Sequence, residues 1–114
     1  MILPKPPIES LVDSFVYKEF VSDDGSWGKP EYKAPATIEN CRIDRGSQYS
    51  SSSSGKTLLF NGLIFCYNGL TTPLPTFKEQ SVVIYDEQEH VITKVVTVTE
   101  AYSSDVYSFE LEVV

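Results

Sequence analysis

From residue 14 onward the chain alternates apolar and polar positions in short runs, and the repeat is two residues rather than 3.6. The last run shows this most cleanly. Between Val106 and Val114, Tyr107, Phe109, Leu111 and Val113 fall on one face, and Ser108, Glu110 and Glu112 on the other. His90 to Thr99 is almost wholly β-branched, and Ser14 to Val21 mixes β-branched with aromatic residues, the composition of a pleated, half-buried surface. Thr37 to Asp44 and Ser81 to Asp86 read as further strands, and Leu58 to Tyr67 as an apolar run broken by a bulge or tight bend at Asn61-Gly62.

Turn chemistry separates these runs. Asp23-Asp24-Gly25, the Pro-rich connection from Asn68 to Pro75, and the polar stretch Asp86 to Glu89 each fall between two of them. Ile8 to Val12, after Pro6 and Pro7, is the one candidate helix and is too short to stand alone. The pattern predicts an all-β chain, a small antiparallel β-barrel or sandwich with at most one short helix. Its 114 residues suit one domain, 1–114, in which 1–13 form an N-terminal segment.

Composition narrows the function. Hydrophobic residues make up 41% of the chain, enough for a core without covalent staples. Cys41 and Cys66 both lie in apolar strand-like runs and read as buried free thiols rather than a disulfide. Sixteen acidic against nine basic residues give a net charge of −7, which argues against a general grip on nucleic-acid phosphates. The first ten residues, with three prolines and a lysine, lack the apolar stretch of a signal peptide. No run is long enough to span a bilayer. The expectation is a soluble protein made in a reducing cytoplasm.

The most conspicuous chemistry is Gly55-Lys56-Thr57, the closing half of a phosphate-binding P-loop. That motif needs a glycine at residue 50 and a helix after the loop. Residue 50 is Ser, and the residues that follow have a strand pattern, so no nucleotide site is expected. What remains is a run of five serines between Gly46 and Gly55. Small polar side chains cannot offset the entropy of ordering. Residues 46–57 are therefore expected to form a long flexible loop between early strands. Gln48, Tyr49, Ser52 and Lys56 are its candidates for contact with a protein or a channel.

Other chemistry is weaker. His90, the only histidine, lies near Glu87 and Glu89, an arrangement that suits an exposed turn better than a metal site. Asp23-Asp24-Gly25 lacks the alternating ligands of a calcium loop. Asp105, Glu110 and Glu112 read as a solvated acidic face. No catalytic, cofactor-binding or metal-binding residue is assigned, and no enzyme activity is expected.

Several short stretches also line up in order with one family. They are Tyr17-Lys18, Trp27-Gly28, Arg42-Ile43-Asp44, Ser54-Gly55-Lys56, Phe77 to Ser81, Val83-Ile84-Tyr85, Ile92 with Lys94-Val95, and Tyr102-Ser103 through Asp105 to Glu110-Leu111-Glu112. Their order and spacing resemble the minor capsid proteins of tailed bacteriophages, the small head-closure (stopper) or head-tail joining proteins. The resemblance implies a β-barrel, monomeric when free, that assembles as a homo-oligomeric ring below the portal and its adaptor. Such a ring retains packaged DNA in its channel without binding it specifically, and docks the tail-completion proteins. It also implies a place in the virion connector after assembly in the host cytoplasm, with no membrane. By position, Gly46 to Thr57 is the loop that points toward the channel. The chain departs from the family in the turn after Asp86, where Glu87-Gln88 stands in place of the frequent Gly. The rival reading is a free-standing small β-barrel that binds or inhibits a host protein.

Overall fold

Six strands close on themselves in the computed structural model, which describes residues 4–23 and 26–114. The strands among the described residues are β1 (Asp13–Lys18), β2 (Phe20–Ser22), β3 (Glu31–Tyr32), β4 (Ala36–Asp44) and β5 (Gln48–Ser52). They continue as β6 (Gly55–Phe60), β7 (Gly62–Tyr67), β8 (Val82–Tyr85), β9 (Gln88–Thr99) and β10 (Val106–Val113). Around the barrel the order is β1-β4-β7-β10-β9-β8, with every neighbouring pair antiparallel. Closure removes the sheet edges that a small β-protein would otherwise expose.

Alternation decides what fills the barrel. On β7, Gly62, Ile64 and Cys66 are buried while Leu63, Phe65 and Tyr67 are half-buried. On β10, Phe109, Leu111 and Val113 point inward and Glu110 and Glu112 lie on the other face. Register Leu111↔Ile64 and Leu111↔Val95 sets these inward residues beside one another across three strands. Cys41 and Cys66 are free and fully buried among them. Phe77, from the β7–β8 connection, plugs one end, meeting Tyr17 edge-on at 5.0 Å and Phe109 at 5.6 Å. Such ring pairs add to the area they bury.

Several local expectations change. The run Ser14 to Val21 does not form one strand: β1 ends at Lys18, and Phe20 turns away to pair with Tyr32, its ring 6.0 Å from the tyrosine's. The Phe20 amide is then satisfied by Ser81 Oγ at 2.9 Å. The face assignment on β10 slips at its start, where Ser108 is buried and Tyr107 only half-buried, because the register with β9 shifts between Val106 and Ser108. The short helix is a single 3-10 turn, Ile8–Ser10. The strand from His90 begins two residues earlier, at Gln88. Asp86 and Glu87 hold positive φ (52° and 61°) in a two-residue hairpin turn of the kind whose twist suits antiparallel strands. Asp24 and Gly25, in the turn expected after Asp23, and residues 1–3 lie outside the described residues.

The barrel has two different ends. At one lie the end of β1, the start of β4, and the connections 68–81 and 100–105. At the other lie the start of β1, the β8–β9 turn, and the segment between β4 and β7. That last segment carries the candidate site residues.

Candidate functional site: an anchored arm at one end of the barrel

Part of the segment expected as a long flexible loop is paired as a hairpin. β5 and β6 form a two-stranded sheet of their own, with Ser50↔Thr57, Ser51↔Lys56 and Ser52↔Gly55 in register. The tip turns at Ser53-Ser54, and Gly55 at φ +118° supplies a conformation that a side chain would strain. Ser52 Oγ lies 2.9 Å from Ser54 Oγ and accepts the Ser54 amide at 3.3 Å. The backbone pairs because a hairpin needs only a turn and two strands. Local composition reports side-chain burial, and on that point it was right: Gln48 to Leu58 are all exposed.

The arm pairs only with itself, in a sheet separate from the barrel, and the molecule's radius of gyration exceeds that of a compact chain. It is 15.4 Å, against roughly 13 Å for a compact chain of this length. A two-stranded hairpin without a third strand or a helix behind it is marginal in water. Among residues 46–62 Lys56 is the single charge, and Tyr49 pairs with Leu58 as an apolar spot, 54% and 40% exposed.

Gln48, Tyr49, Ser52 and Lys56 all lie on this arm. Gln48, opposite Phe60, is at its base; Tyr49 comes next; Ser52 and Lys56 are near the tip. Leu58, the start of the apolar run read from the sequence, is exposed on this arm, and no local signal marks what anchors the arm.

That anchor is Arg45. Its guanidinium binds Asp86 through Nε and through Nη2 (3.3 Å), and Asp13 Oδ1 through Nη2 at 3.1 Å. Nη1 donates to the Ile43 carbonyl at 3.3 Å, and the other oxygen of Asp13 accepts the Ile43 amide at 2.9 Å. The hydrogen bonds to Asp86 first, and then to Asp13, push the Arg45 pKa further above its already high ordinary value. The guanidinium also lies over the Tyr85 ring at 5.7 Å, and the ring of His90 stacks on Tyr85 at 4.3 Å. Across to the opposite stem, Ser47 Oγ donates to Asn61 Oδ1 at 2.9 Å, and the Asn61 amide donates to the Val113 carbonyl at 2.7 Å. Asn61-Gly62 was visible as a bend. Nothing local could have announced Asp13 and Asp86 as partners of Arg45.

Hollows of about 490 Å³ and about 430 Å³ flank the arm's root, the first lined by Ile43, Phe60 and Leu63, the second by Asn61, Tyr85 and His90. Lys56 and Thr57 belong to a strand, so no helix N-terminus faces the Gly55 turn. Among the described residues no group of three or more His, Cys, Asp or Glu side chains is placed to hold a metal. No helix among them is long and apolar enough to cross a membrane.

The described residues thus form a closed six-stranded antiparallel barrel with a two-stranded, sparsely charged arm. The chain belongs to the minor capsid protein family, which it matches over residues 7–113. Membership makes it a structural component of a bacteriophage virion. A curated relative, the uncharacterized protein ORF5 of Lactococcus phage LL-H, is 26% identical over 80 residues, covering 68% of each chain. No solved structure matches the chain.

Proposed function

We propose that this protein is a head-closure or head-tail connector subunit. It forms a homo-oligomeric ring below the portal or its adaptor, helps to retain packaged DNA, and offers a docking surface to tail-completion proteins. It is a monomer when free, is assembled in the host cytoplasm, and catalyses nothing. The observation that carries the reading is the arm, within a minor capsid family member. Its sheet has two open edges and no third layer, so it gains stability from whatever a ring brings beside it. Copies arranged in a ring would supply neighbouring arms and channel contents. A net charge of −7 suits a conduit that DNA must cross without sticking.

The test is deletion of Ser51 to Ser54. The arm lies outside the barrel, so the melting temperature should change little, since shortening a loop alters closure entropy slowly. The yield of DNA-filled, tailed particles should fall. Full infectivity would reduce the arm to a spacer, and an unfolded variant would make it part of the core structure.

A further inference from the structure

Residues 4–7 read Pro-Lys-Pro-Pro and form a strap that reaches from the start of β1 to the beginning of β10. Leu11, 4% exposed, roots it in the barrel. Pro7 is in the polyproline II region (φ −63°, ψ 143°). The far end of the strap meets one patch. The Tyr107 hydroxyl donates to the Pro4 carbonyl at 2.7 Å. The Lys5 ammonium lies 5.4 Å from the centre of the Tyr107 ring and 3.5 Å from Oε1 of Glu100, a carboxylate only 9% exposed. Tyr67 meets Tyr107 edge-on at 5.9 Å, and Pro6 and Tyr67 line one hollow. A cavity of about 480 Å³ continues the patch past Lys5 toward Asp105 and Phe109.

These are the elements by which proline-rich segments are read. Aromatic faces take the rings, a hydroxyl takes a carbonyl that polyproline II leaves without an internal partner, and a carboxylate takes the basic residue. Pro4 and Pro7 stay exposed, while Lys5 and Pro6 are half-buried against the patch. Pro4 and Tyr107 are 103 positions apart, and one turn at Ile8–Ser10 connects the strap to its own barrel. Nothing in the contacts requires strap and patch to belong to one chain.

We propose that the Tyr67, Tyr107 and Glu100 patch is a recognition site for a basic proline-rich segment, and that its occupant in an assembly is the strap of a second copy. This chain carries both the segment and its receptor, with Lys5 ion-paired to Glu100 and sharing a cavity with Asp105. Where copies are concentrated, the same contacts form between neighbours, an exchange of identical elements that costs little. The inference goes beyond the connector reading and stands or falls separately from it.

Two measurements test it, both on the full chain. First, Pro4→Gly with Lys5→Ala frees the patch, and a fluorescent peptide of residues 1–10 is titrated by anisotropy. Saturable binding to this variant is expected, tighter than to the wild type, whose own strap competes. Adding Tyr107→Phe should weaken it about fivefold, the loss of one net hydrogen bond. Absence of binding, or equal binding by a peptide with alanine at the prolines and at the lysine, would overturn the site. Second, ¹⁴N and ¹⁵N wild-type chains are refolded together at high concentration, and Lys5 is joined to Glu100 with a zero-length carbodiimide. Linked peptides of mixed mass are expected; linkage only within one isotope would overturn the exchange.

Discussion

Arg45 and Asp86, 41 positions apart, are joined side by side at the end of the barrel from which the arm leaves. The pair fastens the stem of the arm to the β8–β9 turn, and Asp13 extends the hold to β1. Arg45 is 45% exposed and Asp86 55%, so water screens much of their attraction. The arrangement serves position more than stability.

Arg45→Met is therefore expected to lower unfolding free energy by only about 1 kcal/mol, an effect that shrinks in high salt. Amide exchange within 46–61 should speed up much more than exchange in β7 and β10. Equal acceleration in arm and barrel would show that Arg45 does not set the arm's position.

Gly62 starts β7 where Tyr85 Oη, Val113 Cγ2 and the Asp44 carbonyl crowd the space a Cβ would take. Gly62→Ala should cost roughly 1–3 kcal/mol by overpacking. Adding Tyr85→Phe removes the nearest atom and should recover part of that loss. Chemical denaturation of the two single variants and the double variant measures the coupling; simple additivity would place the strain elsewhere.

Adjacent residues on β10 should behave oppositely. Phe109 is 7% exposed and packs on Phe77, so Phe109→Ala is expected to cost about 3–5 kcal/mol. Glu110 lies on the outer face, and Glu110→Ala should stay within about 0.5 kcal/mol. Equal melting temperatures for the two variants would contradict the face assignment.

Alkaline pH should destabilise the fold. A hydrogen bond with Cys41, and then burial, hold the Cys66 thiol well above its ordinary value of about 9. Burial raises the Tyr67 and Tyr85 phenols above about 10. In all three the folded state keeps its proton to higher pH than the unfolded state. Their contribution is complete below the ordinary values and is lost as pH rises through the folded ones. Melting temperatures taken from about pH 8 to about pH 11 should be flat and then fall. Tyr67→Phe should flatten part of the decline, and an unchanged profile would remove Tyr67 from this account.

Much of the fold was visible in local pattern. Inward Phe109, Leu111 and Val113 follow from a two-residue repeat, and the bend at Asn61-Gly62 follows from turn chemistry. The slip at Ser108 was not visible, because it comes from a register shift against β9, and register belongs to the pair of strands. The break after Lys18 likewise depends on Tyr32 and Ser81, which capture Phe20 from elsewhere in the chain.

By itself the sequence determined that the chain is all-β, which face of its last strand is buried, and that the serine segment has almost no charge and nothing with which to bury itself. Each of these rests on residue type and short-range spacing, which act before any distant contact forms. Only the tertiary structure decided that six strands close into a barrel in the order β1-β4-β7-β10-β9-β8, that the serine run pairs as an arm, and that Arg45 finds Asp13 and Asp86. It alone set Pro4 against Tyr107. Those relationships join residues as far as 103 positions apart, and they arise from the pairing of whole strands, for which no single stretch of sequence carries a signature.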